Sequence, residues 1–557
     1  ELTVGANENA ENLRVEISYV IPPVHDGLVI SASQLDPTID RRNDTIYRDT
    51  LFSRDDQVFH TLDAGINAGQ HEGGGKSLEI RRFGYNLDHG GVNGGLKVLV
   101  DNFQQNQGTQ GHGQGYLGQL KSLTPELVQD VEILNGPFSA EYGDFSGLGV
   151  VHIRLKESLP DQLTARFQGG SFDTFRTFLA YSPKLKQGDA LISYEGSRTD
   201  GPFKNPLDYK RDNVTGNLVH RFSEKRTVGF KFNLGRNDFV SSGQIPLDEV
   251  SAGRLNRFGF IDPDNGGRVR TGVVNAYFKQ EMNKGGVFKL DGFLARSLFD
   301  LYSNFTFSLN DEANGDEIQQ HDSRLQEGLN AQFLQPYKLF GQRALLVAGA
   351  NYHDNQINVS LNNSIGRAPI SIATKANARV TNTAGYVQQG VDLLHGHVHV
   401  EGGVRYDYFR FKVEDRVDPA TSGTQGASRV QPKFNLAVTP TDRVPLTVYF
   451  NYGRGISSQD ARGVVRHPDE DGTDGERIST TDFYQVGTSH NFKRLSLSTD
   501  LFLIDRSNEQ VYIPDDGSFE FKGPTRTYGF EVKTAVQVTR FVSFNAGVTQ
   551  VSNAYYR

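Results

Sequence analysis

Cysteine and tryptophan are both missing from the 557 residues, and methionine occurs once. Without a thiol the chain has no disulfide and no cysteine-ligated metal site, a usage that fits an exported bacterial protein. Long apolar runs are missing as well. A membrane-crossing helix needs roughly 18–20 consecutive apolar residues, and the longest runs here are pieces such as Ala344–Ala350 (ALLVAGA). Spanning helices are thereby excluded; a spanning β-barrel is not. Basic charge is scarce too: 58 Lys and Arg stand against 66 Asp and Glu, a net charge of −8, with no clustered Lys/Arg face. Nucleic acid is therefore not an expected partner. No charged-then-apolar leader follows Glu1, so any signal peptide is expected to have been removed.

Glycine (60), phenylalanine (37) and tyrosine (22) are plentiful at a hydrophobic content of only 36%. That mixture favours many short strands joined by turns over one oily core, and the length allows two or three domains. From about Gln162 onward the chain alternates with period two. Val228, Phe230, Phe232 and Leu234 share one face, and Thr227, Gly229, Lys231 and Asn233 the other. Val398, Val400, Val404, Tyr406 and Tyr408 likewise oppose His399, Glu401, Arg405 and Asp407. Period two over such lengths means strands.

A soluble sandwich with one wet face is the plain alternative. Against it, the strands run to about 10–14 residues where soluble sheets have about 5–6, and their polar face carries full charges. The connections also alternate in length. Ser223–Arg226, Asn283–Gly286 and His395–Gly396 are tight turns, whereas Asp238–Arg268 and Ile456–Ser479 are long polar loops. That asymmetry belongs to an outer-membrane barrel, with turns on the periplasmic side and loops outside. About seventeen strands are expected, and an odd number cannot close as an all-antiparallel barrel. Since the chain stops at Arg557 just after the apparent strand Arg540–Val551, a C-terminally truncated barrel lacking about five strands is the expectation.

At the junction between the two halves lies Val131–Gly147, VEILNGPFSAEYGDFSG. Gly136–Pro137 forces a turn, because proline pushes the residue before it out of the helical region. Phe138–Tyr142 is expected to make a single helical turn with Gly143 at its C-terminal end, and Leu148–Lys156 to return as a strand. Val131–Ile153 resembles the end of the plug domain of TonB-dependent outer-membrane transporters, whose pattern is close to IEVlrGPaSalYGsgalgGvInI. Upstream, Leu78–Asn86 (LEIRRFGYN) resembles the family's IRGfg stretch and Gly95–Phe103 (GLKVLVDNF) its v.vliDGv.

The resemblance implies a mostly β fold: a transmembrane antiparallel barrel of about 22 strands, about 17 of them present here, with an N-terminal α+β plug in its lumen. It implies a plug over residues 24–158, a barrel over 159–557, and an extension at 1–23 that is the remnant of an accessory β-sandwich or simply a lead-in. Asp26, Gly27, Leu28, Val29, Ile30, Ser31 and Ala32 (DGLVISA) resemble a TonB box, a stretch that pairs with TonB as an added strand; the alternative is the first plug strand. The implied partners are TonB with its ExbB/ExbD complex, outer-membrane lipid and an imported ligand.

The implied function is import of a scarce ligand, of the ferric siderophore or oligosaccharide class, by energised rearrangement of the plug. The alternatives are a surface nutrient or signalling receptor working with a lipoprotein, or a passive porin or adhesin. In this family the upper plug loops hold the ligand. Carried across residue by residue, these are Tyr85, Asn86, Asp88 and His89 in the first loop and Phe103, Gln104, Gln107 and His112 in the second, with Arg81 and Arg82 nearby; solvated loop residues are the alternative for each. The neutral amide and aromatic mixture suits a sugar or a neutral chelate, whereas a strongly anionic chelate would favour more Arg and Lys. The chain departs from the family at Asn135 and Gln485, where Arg and Glu are common. Losing both signs together avoids an unpaired buried charge, so the two amides are expected to approach each other.

His467–Glu476 gathers Asp469, Asp471 and Asp474, oxygen donors of the kind Ca²⁺ takes, but without the spacing of an EF-hand, which favours a solvated acidic loop. Gly69–Ser77 fails the phosphate-loop spacing, since four residues before Gly75-Lys76 would have to follow a glycine and Gln70 stands there. His71-Glu72 has no second histidine at zinc-protease spacing, and no Gly-x-Ser-x-Gly elbow occurs. Neither an enzyme nor a cofactor is expected.

Overall fold

A computed structural model describes residues 39–43, 65–70, 76–81, 95–113, 116–441, 444, 446–466, 476–491, 494–513, 515–539 and 542–556. The period-two segments form one large sheet with apolar side chains outside and polar ones inside. Phe230 is 46% exposed while its neighbour Lys231 is 5% exposed; Tyr406 is 48% exposed and Asp407 fully buried. This reverses the soluble arrangement and suits a wall whose outer face meets lipid.

The sheet has 18 strands, one being the two-residue piece Lys184–Leu185, which leaves seventeen in the ring from Leu163–Gly170 to Val542–Tyr556. Every registered ladder in it is antiparallel. The last strand lies beside the first, and with an odd number that single junction joins strands of like direction. Tight and long connections alternate as the sequence suggests. Several strands exceed the expected length: Gln342–Ile365 has 24 residues and Ala368–Leu393 has 26. About 9–11 tilted residues suffice to cross a bilayer, so this hairpin projects beyond the apolar belt.

Inside the wall sits a smaller domain. Its strands are β1 (Ile39–Asn43), β2 (Ile66–Gln70), β3 (Lys76–Ile80), β4 (Leu96–Val100), β5 (Phe103–Gln104), β6 (Val128–Leu134) and β7 (Gly149–Leu155). Five of them form a mixed sheet in the order β1-β6-β7-β4-β5, with β4 parallel to β7, while β2 and β3 make a separate hairpin. Val98, Val131, Ile133, Val151 and Ile153 form its core, closed on one side by Phe483, Phe502 and Ile504 of the wall. Two 3-10 segments, Gly118–Ser122 and Pro125–Leu127, link β5 to β6.

Candidate functional site

The junction stretch between β6 and β7 lies flat against the wall. Phe138–Tyr142 does not form the expected helical turn, because its backbone groups are bonded to wall side chains instead. Asn435 donates to the Phe138 carbonyl at 3.1 Å, the Ala140 amide donates to Gln388 at 2.8 Å, and Arg405 donates to the Glu141 carbonyl at 2.9 Å. Gly143 is not a helix cap but a point of close approach: a Cβ there would stand 2.4 Å from the Arg405 guanidinium. Beyond it, Asp144 accepts from the Ser458 amide and hydroxyl, both at 2.7 Å, and makes a parallel bridge with Ile456. Lys97 on β4 donates to the Asp144 carbonyl at 3.0 Å and to Gln104 at 2.9 Å. Burial lowers the Lys97 ammonium to about 8 and raises the Asp144 carboxyl to about 6, each resisted by the other's charge.

Above this seam the second upper loop, residues 104–113, is clasped on all sides. Asn106 caps the edge of β4, accepting from the Val98 amide at 2.6 Å and donating to the Leu96 carbonyl at 2.9 Å. Arg324 donates to the Thr109 carbonyl and Arg462 to that of Gln110, at 2.8 and 2.9 Å. His112 bonds to Gln320 and packs edge-on against Tyr116, 5.0 Å between ring centres. A short helix, Ala461–Arg466, lies over the loop. It is held by the Ala461 amide donating to Thr109 and by Arg462 lying 3.8 Å above the Tyr512 ring.

Charged pairs fasten the inner domain elsewhere. Glu126 takes a two-pronged bond from Arg176, 2.8 and 2.6 Å, and Arg176 also reaches Glu195 at 2.6 Å. Lys231 donates to Asp101 at 3.0 Å. Arg81 lies between the Phe483 and Phe502 rings, 5.2 and 5.1 Å from their centres, with Glu531 at 3.4 Å. Gln485 donates to Asp500 at 2.9 Å, within the wall. The contact expected at Asn135 and Gln485 therefore has an engaged amide on the wall side. The interface carries charge at other positions: Arg81 with Glu531, Glu126 with Arg176 and Asp101 with Lys231.

Of the residues anticipated for ligand contact, Phe103, Gln104, Gln107 and His112 are brought together in the upper loop, all buried, and Arg81 is buried at the wall below. Arg82, Tyr85, Asn86, Asp88 and His89 lie outside the described residues, as do residues 1–23, the segment Asp26–Ala32, and Asp469, Asp471 and Asp474. Sequence reasoning missed Arg405, Glu195 and the Asp144–Ser458 contact. The signal for the first two was their charge at an inward strand position; nothing in the sequence gave their partners. Among the described residues, spaces of about 100, 60 and 20 Å³ lie along the seam. Gln104 and Arg405 line the largest.

Residues 161–557 match the family model for "TonB dependent receptor-like, beta-barrel", and residues 53–150 that for "TonB-dependent Receptor Plug Domain". Among solved structures, the chain is similar to the copper transporter OprC at 12% identity, covering 92% of this chain and 80% of that one with a TM-score of 0.72. It is similar to the unliganded ferric citrate transporter FecA at 14% identity, covering 92% and 78% with a TM-score of 0.72. It is also similar to the ferric yersiniabactin uptake receptor FyuA from Yersinia pestis, at 15% identity, 94% and 80% coverage and a TM-score of 0.70.

Proposed function

The chain belongs to the TonB-dependent receptors, and from that premise we propose that it imports a metal chelate across the outer membrane when TonB pulls on its plug. The family is one of transporters and receptors rather than enzymes. The observation that carries the proposal is the plug seated inside the wall and bonded to it. A described space lined by both plug and wall holds about 100 Å³, room for a few waters at roughly 30 Å³ each, whereas ligand sites need about 300–1,000 Å³. Passage past the plug then calls for the plug to rearrange. Many of the contacts holding it are polar and can be replaced by water as it moves, beside apolar patches such as that of Phe138 and Phe483.

TonB would engage Asp26–Ala32 by strand addition, with ExbB/ExbD supplying the energy. Cargo would first meet the upper plug loops; Gln104, Gln107 and His112, buried and bonded in this structure, would offer neutral donors, acceptors and a ring face to a neutral chelate once the clasp around them opens. The printed names of the similar structures, which concern ferric chelates and copper, support the same class. The test is uptake of radiolabelled ferric and copper chelates by cells carrying the chain. Uptake that stops when TonB is deleted, or when residues 26–32 are removed, is expected, together with induction under iron starvation. Uptake that persists without TonB overturns the importer reading. TonB-dependent growth on an oligosaccharide, with no chelate uptake, overturns the cargo.

A further inference from the structure

Two sectors of the wall grip the plug in different ways. The first runs from the strand Leu163–Gly170 to Arg226–Val240. Here the plug is joined to the wall covalently, since residues 156–162 lead from β7 into Leu163–Gly170. Asn217 fastens that link by donating to the Glu157 carbonyl at 2.7 Å. Carboxylates of the plug depend on cations of the wall. Among the described residues both ionic partners of Glu126 are wall arginines, Arg176 at 2.6 Å and Arg166 at 3.7 Å. Lys231 donates to Asp101 at 3.0 Å and to the Leu155 carbonyl at 3.1 Å. Lifting the plug off this sector would part buried charges from their partners, which is costly.

The second sector runs from Val287–Ser303 to Gly423–Val438. Two of its donors reach plug carbonyls while keeping a partner on the wall. Arg405 bonds to Asp407 at 2.7 Å as well as to the Glu141 carbonyl, and Asn435 to Glu401 at 2.9 Å as well as to the Phe138 carbonyl. If the plug leaves, these side chains retain their wall partners and water replaces each carbonyl. The space of about 100 Å³ already parts plug from wall here. The space of about 60 Å³ in the first sector is lined by Leu120, Leu123 and Leu127 and by both members of the Lys231–Asp101 pair. Apolar contact occurs in both sectors, Leu127 with Phe178 in one and Phe103 with Phe293 in the other. The polar partners make the difference.

We propose that the plug stays anchored to the first sector and swings away from the second. Cargo then passes along the wall surface made by Lys289, Asp291, Asn330, Gln332, Asn351 and Arg405, all of which line the 100 Å³ space. Two cations, one carboxylate and three neutral amides can meet the oxygen donors of a chelate without holding a strongly charged one fast. The inference deepens the importer reading and rests on it, but not on the identity of the cargo.

Because the chain has no native cysteine, paired cysteines test it. A Cβ at Gly403 would stand 3.2 Å from that of Ala140, and one at Gly235 would stand 2.5 Å from that of Ser122. Small shifts bring either pair to the roughly 3.5–4.5 Å of a disulfide. Ala140→Cys with Gly403→Cys ties the plug to the second sector, and Ser122→Cys with Gly235→Cys ties it to the first. In cells with TonB, oxidising the first pair is expected to cut ferric-chelate uptake at least about tenfold, reversibly with reductant, and oxidising the second to leave it within about twofold. Uptake intact with the first tether, or lost with the second, overturns the proposal. A second readout is independent of cargo: Gln332→Cys and Thr215→Cys, one in each sector, are labelled separately on intact cells with a membrane-impermeant maleimide. TonB is expected to accelerate labelling at Gln332→Cys and not at Thr215→Cys; any other pattern overturns the proposal. If no chelate enters while labelling at Gln332→Cys alone still depends on TonB, the cargo reading fails and this inference stands. Heat-modifiable migration in gels establishes that the barrel of each variant has folded.

Discussion

Val131 and Ile153, at the centre of the plug sheet, are fully buried, as the core of a soluble domain would be. Glu195, Arg324 and Asp407 are just as deeply buried on the inner face of the wall. The plug coheres through apolar contact, whereas the wall meets it both through apolar patches, such as Phe483 and Phe502, and through charged and amide side chains reaching the plug's own backbone carbonyls. That difference separates two tasks. An apolar core keeps the plug one body, because exposing it to water is costly. A polar seam holds it in place but lets water substitute for each bond as it moves. Arg405 on the Glu141 carbonyl and Asn435 on that of Phe138 are such replaceable contacts.

The sharpest way to break this contrast is to put a charge in the plug core. Val131→Asp should cost more than about 4 kcal/mol and unfold the plug while the barrel persists. The check is a variant that keeps heat-modifiable migration in gels but conducts ions in planar bilayers. Next in size is Glu195→Ala, which removes one of the two carboxylates on Arg176, the carboxylate beside Arg211 and an acceptor for Thr124 at 2.9 Å. A loss of about 3–5 kcal/mol is expected, read as a lower denaturation midpoint of the refolded protein, with Glu195→Gln milder. On the opposite face, Leu329→Arg puts a charge into the lipid belt and should cost about 2–4 kcal/mol near the bilayer midplane. Folding yield in vesicles measures it; no loss there would mean that Leu329 does not face lipid.

The smallest effect concerns pH at the seam. Burial raises the Asp144 carboxyl from 3.8 to about 6, so the folded protein holds a proton between these values that the unfolded chain has released. The group's contribution is present at low pH and is lost as pH rises through about 6. Relative to Asp144→Asn, the native chain should lose about 1–2 kcal/mol between pH 4 and 6.5. Parallel midpoint curves for the two proteins would show that Asp144 is not a buried acid.

The period-two pattern made the wall legible because a strand's two faces meet different media, and nothing distant is needed to see that alternation. Tyr406 and Asp407 fall on the faces the pattern gives them. Phe138–Tyr142 was misread for the complementary reason: its local signals favour a helical turn, but Asn435, Gln388 and Arg405, about 250 to 300 residues away, take the backbone groups such a turn would use. Asn135 and Gln485 were chosen by comparison with a family pattern, and a pattern carries no distances. Charge crosses that interface at Arg81 and Glu531, a pair 450 positions apart in the chain, and also at Glu126–Arg176 and Asp101–Lys231. Phe103, Gln104, Gln107 and His112 were chosen on a resemblance that sets them in one upper loop; the structure puts Phe103 and Gln104 in β5, and the sequence gives no sign that Ala461–Arg466 bonds to Thr109 and Gln110 beyond them.

The sequence by itself determined the strands, their faces, the alternation of turns and loops, and the presence of a plug. The first three follow from short-range periodicity and turn chemistry; the plug follows from the resemblance of Val131–Ile153 to a family's motif. Only the tertiary structure decided which inward charge meets which plug group and that the upper loop lies under a clasp. Such pairings depend on the register of strands far apart in the chain, and a one-residue slip would turn every one of those side chains to the opposite face.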